Sequence, residues 1–201
     1  QEICDLCGPK GIPVIEDTAQ AFGAKVRGRR LGTYGDVGVF SFGMYKNINT
    51  WYGGAVTCKD PGLFSAIANE SDSLPFQKRS LVINRMREGL MTDAATLPFL
   101  FRSLTFWIFR FGRLHDIRWI NRFVETELDL SRLEAMPEKY LGKMTAAQHR
   151  LGLMQLAHID RDNQIRSEKA AQYRRGLEGT DAFLLPPDDA GDAIYTYFPV
   201  Q

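Results

Sequence analysis

The sequence predicts an α/β domain, and three observations carry the prediction. Two continuous apolar runs, Val37-Gly-Val-Phe-Ser-Phe42 and Gly54-Ala-Val-Thr-Cys58, lack the alternation of a half-exposed strand and suit strands covered on both faces, as in parallel sheets. Ahead of them, Ile3, Leu6 and Cys7 recur at helical spacing, and Gly11 leads into an apolar run at 12–15 that ends in Glu16-Asp17; this is helix, turn, strand. Behind them, Asp60-Pro61 supplies a capping carboxylate and a proline at the first helical position. Leu63, Phe64, Ile67 and Ala68 then share one face of a helix expected over 61–72.

The character changes after this first segment, 1–74. Between residues 75 and 122 there are nine Lys/Arg and three acids around an aromatic stretch, Leu97-Pro-Phe-Leu-Phe-Arg-Ser-Leu-Thr-Phe-Trp-Ile-Phe-Arg-Phe111. Residues 75–140 read as a basic, aromatic, helical insert. Placed on a helix, Arg102, Thr105, Arg110 and Arg113 share one side, while Leu100, Phe101, Leu104, Trp107, Ile108 and Phe111 cover the remainder. The pattern suits an interfacial amphipathic helix touching a membrane surface through 97–114, and equally a face packed on the domain or on a partner subunit. In the last segment, 141–201, Met144, Ala147, Leu151, Met154 and Ala157 recur at steps of three and four. That predicts an apolar-faced helix continuing through the charged stretch 161–175, closed by Gly176 and Gly179, with a loop at Pro186-Pro187.

Composition narrows the function classes. With 201 residues, 44% hydrophobic and 24% charged, the chain is neither disordered, collagenous nor coiled coil. Twenty-five Lys/Arg against 24 Asp/Glu give a net charge of +1, so no nucleic-acid partner is expected. Three cysteines are too few for a disulfide framework and point to a reducing, cytoplasmic compartment. The Cys4/Cys7 pair lacks further ligands nearby, because His115, His149 and His158 lie far along the chain, and no metal site is expected. A start at Gln1 and an end at Gln201, inside an apolar run, suggest a piece of a longer protein.

One lysine stands out. Lys46 sits in the otherwise uncharged stretch Ser41-Phe-Gly-Met-Tyr-Lys-Asn-Ile-Asn49, after a strand and before Gly53-Gly54. An ammonium there either snorkels to water or reacts; burial would favour the neutral nucleophile that forms Schiff bases. A pyridoxal phosphate site needs such a lysine, a carboxylate for the pyridine nitrogen and donors for the phosphate. Asp17, at the carboxyl end of a predicted strand, is placed where open α/β sheets bind ligands.

These residues resemble the DegT/DnrJ/EryC1/StrS family of sugar aminotransferases. The resemblance lies in Val14-Ile-Glu-Asp-Thr-Ala-Gln-Ala-Phe-Gly-Ala24, Gly32-Thr-Tyr-Gly-Asp-Val-Gly-Val-Phe-Ser-Phe42, Lys46-Asn47 and Gly53-Gly54-Ala55. It returns more weakly in Lys143-Met-Thr-Ala-Ala-Gln148 and Leu151-Gly-Leu-Met-Gln-Leu156. It implies the aspartate aminotransferase-like fold, pyridoxal phosphate-dependent transferase fold type I: a mostly parallel sheet with flanking helices, and the start of a smaller α+β domain in 141–201. By the same resemblance pyridoxal 5'-phosphate is the cofactor, Lys46 holds it and shuttles protons, Asp17 keeps its ring nitrogen protonated, Gln20 contacts the ring and Ser41 donates to the phosphate. The implied reaction moves an amino group from an amino acid, glutamate being the expected donor, to a keto-sugar on a nucleotide, in a homodimer. Family members carry further phosphate-binding and ring-stacking residues ahead of the region matched here, so this chain is expected to hold about half a site and to be inactive alone.

Duller readings stand beside these. An aspartate at a strand end often caps a helix, a strand serine is usually structural, and Gly53-Gly54 can be a simple turn. The basic run Arg27-Gly-Arg-Arg30 reads as a solvated hairpin. The chain also departs from the family: Trp51-Tyr52 stands where relatives have Gly-Glu, Leu141 and Lys143 where they have Asn and Arg, and His149-Arg150 where they have Ala-Ala. A degenerate homologue acting as a regulatory or membrane-associated scaffold subunit is therefore an alternative. So is a sugar dehydratase on the same cofactor, although such relatives carry histidine where this chain has Lys46.

Overall fold

A computed structural model describes residues 2–121, 136–180, 184–185 and 193–199; the loop expected at Pro186-Pro187 lies outside the described residues. α1 (Glu2–Cys7) and a 3-10 turn at Gly8–Lys10 lead through left-handed Gly11 (φ 64°) into β1 (Ile15–Asp17). The helix and turn fall where the apolar spacing places them; the strand comes later than the apolar run at 12–15, sharing only Ile15 with it and taking in Glu16-Asp17. β2 (Lys25–Val26) and β3 (Arg29–Arg30) make an antiparallel hairpin. Its two turn residues, Arg27 and Gly28, both have positive φ (50° and 76°), which matches the twist of the strands they join.

β4 (Val37–Ser41) lies parallel to β1, with Glu16 opposite Gly38 and Asp17 opposite Val39. β5 (Gly54–Cys58) lies on the far side of β4 and runs antiparallel, with Ser41 opposite Gly54 and Val37 opposite Cys58. The connection 42–53 contains turns and no helix, so the chain re-enters the sheet in the opposite direction. Strand periodicity separates two faces. On one, Gly38 and Phe40 are buried, and Phe22 packs edge-on against Phe40 and Phe42 with ring centroids 5.1 and 5.9 Å apart. The other face, with Ile15, Val39 and Val56, is exposed, which corrects the expectation that both faces of these strands are covered by this chain.

Asp60 caps α2 (Pro61–Ser73), accepting from the Leu63 N–H at 2.6 Å, as its place before Pro61 predicts. Residues 1–77 and 142–201 form one compact unit, and Lys78–Leu141 form a second. The second holds α3 (Arg79–Thr96), α4 (Pro98–Leu100), a π turn at Phe101–Thr105, α5 (Phe106–Leu114) and α6 (Arg118–Asn121). Within it, Gly112 lets α6 close on α5, because a Cβ there would collide with Ile120 at 2.5 Å. At the first unit's side of the junction, Phe76 and Lys143 pair as a parallel β-bridge. The Gln77 N–H donates to the Lys143 carbonyl (3.0 Å), and the Lys143 N–H to that of Pro75 (2.9 Å).

The single long helix expected from residue 144 onward is two helices, α7 (Ala146–Leu156) and α8 (Ile159–Leu177), broken at Ala157-His158; left-handed Gly179 (φ 79°) follows the second. The expected apolar stripe does not face inward either. Leu153 and Met154 are two-thirds exposed, while Gln148 is fully buried and the Gln155 side chain points to the loop at 49–52. Apolar periodicity fails here because what holds α7 in place is hydrogen bonding to irregular backbone, as described next.

Candidate functional site

Asp17 and Ser41 end the two parallel strands. Asp17 pairs with Val39, and Ser41 lies two residues further along β4, so the alternation of strand side chains puts both on the exposed face at the carboxyl edge of the sheet. Thr18, buried at 3% exposure, fastens this end of β1: its N–H and its hydroxyl both donate to the Val39 carbonyl, at 2.9 and 2.7 Å. Asp17 Oδ1 accepts from the Ala19 N–H at 3.0 Å, which leaves Oδ2 available. Glu16, on the opposite face, accepts from the N–H groups of Gly32 (2.9 Å) and Gly35 (2.6 Å) and so ties the turn before β4 to β1.

Lys46 lies in the turn that follows β4, its N–H donating to the Gly43 carbonyl at 3.1 Å. Ser41 and Lys46 flank Gly43: a Cβ built there would lie 3.7 Å from Ser41 Oγ and 3.9 Å from Lys46 Cγ. Ser41 Oγ accepts from the Gly43 N–H at 3.4 Å, so its hydrogen remains to be donated. Lys46 is half-buried, and its ammonium makes no hydrogen bond or ion pair among the described residues. Gln20 is exposed; its carbonyl accepts from the Thr196 hydroxyl at 3.1 Å, and its side chain contributes no hydrogen bond to Asp17, Ser41 or Lys46. The fold therefore brings Ser41 and Lys46 to either side of Gly43 and sets Asp17 on the same sheet edge and face as Ser41, while among the described residues the Gln20 side chain hydrogen-bonds to none of them.

Sequence reasoning missed what holds the lysine-bearing loop. Gln148 Nε2 donates to the carbonyls of Thr50 (3.1 Å) and Tyr52 (3.2 Å) and to Gln77 Oε1 (2.9 Å). Its Oε1 accepts from the N–H and hydroxyl of Thr145, both at 2.9 Å, as half of a capping box at the start of α7. Two turns later Gln155 binds both backbone groups of Asn49. Asn47 donates to Asn163 of α8 at 3.0 Å and accepts from Thr196 at 3.1 Å; Asn163 in turn donates to the Phe22 carbonyl at 3.0 Å. The signal in the sequence was two glutamines seven residues apart, one face of a helix, within an apolar stretch.

The departures from the family pattern have specific places. Trp51 adopts a left-handed backbone (φ 65°), and its N–H is fixed by Asn49 Oδ1 at 2.8 Å. Lys143 does not reach toward the lysine loop: its ammonium donates to the carbonyl of Asp72 (3.0 Å) at the end of α2 and lies over the Phe76 ring, 4.7 Å from its centroid. Leu141 is exposed. In the hairpin, Arg30 makes a two-pronged pair with Asp160 of α8 (3.0 and 2.9 Å). Hydrogen bonding to Asp160, and its charge, hold the Arg30 guanidinium above its ordinary range, and the same contacts hold Asp160 below the usual carboxylate range. Two cavities of about 710 and 450 Å³ flank α8, and neither is lined by Asp17, Gln20, Ser41 or Lys46.

Residues 1–73 match the model of the DegT/DnrJ/EryC1/StrS aminotransferase family. The chain is 30% identical over 186 residues to a dTDP-4-dehydro-2,3,6-trideoxy-D-glucose 4-aminotransferase of Saccharopolyspora spinosa, covering 92% of this chain and 38% of that protein. It is 29% identical over 201 residues to a dTDP-3-amino-3,4,6-trideoxy-alpha-D-glucose transaminase of Streptomyces venezuelae, covering 98% of this chain and again 38% of the relative. The chain thus spans less than two-fifths of the length of either. Among solved structures, the aminotransferase TlmJ from Streptoalloteichus hindustanus shares the fold, with a TM-score of 0.61 and 23% identity over 98% of this chain and 41% of that one.

Proposed function

Because the chain belongs, through residues 1–73, to the DegT/DnrJ/EryC1/StrS aminotransferase family, we propose that the protein is a pyridoxal phosphate-dependent sugar aminotransferase. One observation carries the proposal: a carboxylate, a hydroxyl and an amine stand at one edge of the sheet, each with bonding capacity unspent among the described residues. A group that bears an aldehyde, a protonated ring nitrogen and a phosphate is complementary to that set, and pyridoxal phosphate is such a group. Bound, it supplies an electron sink for the carbanion left when a substrate C–H proton is removed.

The chain's own residues would then act as follows. The free oxygen of Asp17 accepts a hydrogen bond from the ring N–H and holds the proton there. Ser41 donates its hydroxyl hydrogen to a phosphate oxygen. Lys46 would hold the group by condensing its amine with the aldehyde, with loss of water, and once displaced by the substrate amine would carry a proton at its Nζ. The side chains of Gln148, Gln155 and Asn163 hold the loop that carries Lys46 and so limit where that amine can travel. Gln20 would meet the cofactor ring, as the family resemblance implies.

The names of the relatives support a nucleotide-linked keto-sugar as acceptor; an amino acid, glutamate in the first place, is the proposed donor. A homodimer, a cytoplasmic setting suggested by the three free cysteines, and contact with a membrane surface through 97–114 belong to the same proposal. No described helix is long and apolar enough to cross a membrane. Borohydride reduction of the full-length protein in the presence of pyridoxal phosphate, followed by digestion and mass spectrometry, tests the reading. We expect the cofactor mass on the peptide containing Lys46. Its absence in folded protein would remove the aminotransferase reading; an adduct without amine transfer to any keto-sugar would favour a regulatory role.

A further inference from the structure

The second unit presents an aromatic surface that its own helices leave uncovered. Phe99 is 80% exposed, Trp107 58%, Phe111 55% and Trp119 69%, and Leu104 and Leu114 are exposed as well. Trp107, Phe111 and Leu114 follow one another along α5 at steps of four and three, the spacing of a single helix face.

The π turn at Phe101–Thr105 extends that surface. On an uninterrupted α-helix, residues five apart point about 140° away from one another. The wider turn, closed by the Phe106 N–H on the Phe101 carbonyl, brings Phe101 and Phe106 to a centroid separation of 6.1 Å, and Phe106 meets Trp107 edge-on at 5.4 Å. The π turn thus brings Phe101 to the Phe106–Trp107 pair, from which regular winding would turn it away.

The charges around this surface are one-sided. Residues 78–121 hold eight Lys/Arg and three Asp/Glu, and Arg102, Arg110 and Arg118 are exposed within and beside the aromatic stretch. A second copy of the chain docking face to face would set these arginines against their own counterparts. A surface of negatively charged headgroups over an acyl layer complements both the arginines and the rings; Trp in particular suits that boundary.

We propose that this unit binds peripherally to anionic lipid, with α4, the π turn and α5 lying along the headgroup layer and Trp107 and Phe111 entering it. The proposal rests on the membrane-surface reading of 97–114 and narrows it to negatively charged lipid. The test is co-sedimentation of the protein with vesicles of phosphatidylcholine alone and of phosphatidylcholine mixed with phosphatidylglycerol. Binding to the mixed vesicles is expected to be about tenfold tighter, the effect of one or two engaged arginines, and to weaken as salt screens them. Trp107→Ser with Phe111→Ser should abolish sedimentation with helix content unchanged, since both side chains are exposed. Arg102→Glu with Arg110→Glu should remove only the preference for the mixed vesicles. Equal binding to both vesicle types would overturn the anionic selectivity and leave a membrane contact. No binding to either, or dimerisation in solution that the serine variant abolishes, would overturn the membrane reading altogether. None of these readouts depends on amine transfer, so they stand or fall apart from the enzymatic reading.

Discussion

Gln155 and Asn49 bind each other as two adjacent strands would: the Asn49 N–H donates to Gln155 Oε1 at 2.9 Å, and Gln155 Nε2 donates to the Asn49 carbonyl at 2.7 Å. A side-chain amide has the same donor–acceptor pair as a peptide unit, so α7 extends irregular backbone as if it were a sheet neighbour. Replacing Gln155 with Leu leaves both Asn49 groups without that partner, and a loss of about 1–3 kcal/mol is expected. Gln155→Glu keeps an acceptor for the N–H but offers no donor to the carbonyl, so it should fall between wild type and Leu. Chemical denaturation of the three proteins checks the order.

Trp51 occupies a backbone conformation that costs a residue with a Cβ roughly 1–2 kcal/mol. Its replacement by Gly and by Ala removes the same indole, so the difference between those two variants isolates the backbone. Trp51→Gly should be the more stable by about 1 kcal/mol, the reverse of their order in a helix interior. Equal melting temperatures would mean that the left-handed conformation is not maintained in solution.

The Arg30–Asp160 pair joins the hairpin to α8 but is open to water, with side chains 44% and 66% exposed. Its contribution should therefore stay below about 1 kcal/mol and shrink in high salt. Asp160 is held below its ordinary range, so the pair stabilises the fold above the unfolded carboxylate's titration range and ceases to do so as pH falls through the lowered folded value. Asp160→Asn should accordingly be slightly less stable than wild type at neutral pH, and the two should converge in acid. Thermal melts across pH provide the comparison.

The proposed roles of Lys46 and Asp17 separate in the laboratory when variants of the full-length protein are compared. Lys46→Arg keeps a positive charge but should eliminate the borohydride-fixed adduct, because a guanidinium does not serve as the amine. Asp17→Asn should still form the adduct, yet lose amine transfer by about 10²-fold or more as the ring proton loses its carboxylate. An Asp17→Asn protein with undiminished transfer would remove Asp17 from the proposed site.

Much of this arrangement was legible before any coordinates, for identifiable reasons. Asp60-Pro61 marks the start of α2 because capping is a local event. Asp17 and Lys46 stand out because a strand end and an isolated lysine are local signals too, whereas Ser41 and Gln20 are singled out only by the family resemblance. The inward face of α7 is not legible: Gln148, which is buried, and Gln155, which is half-buried, bond to partners about 100 residues away, and periodicity counts apolar residues only. Nor could a continuous apolar run reveal that β5 reverses direction, since such a run carries no mark of strand polarity. The π turn left no mark either, because Phe101-Arg-Ser-Leu-Thr105 is compatible with ordinary helical winding.

The β-bridge between Phe76 and Lys143 closes the neck of the stretch it encloses, so the chain leaves its host and returns at the same place. To the rest of the fold, the 64 residues of Lys78–Leu141 are topologically a single step. A stretch attached in this way is modular: it can be lengthened, pared back or exchanged for a short linker without redrawing the path of any strand that carries Asp17, Ser41 or Lys46. Such a junction lets the surface that a scaffold shows to its surroundings evolve separately from the chemistry it houses.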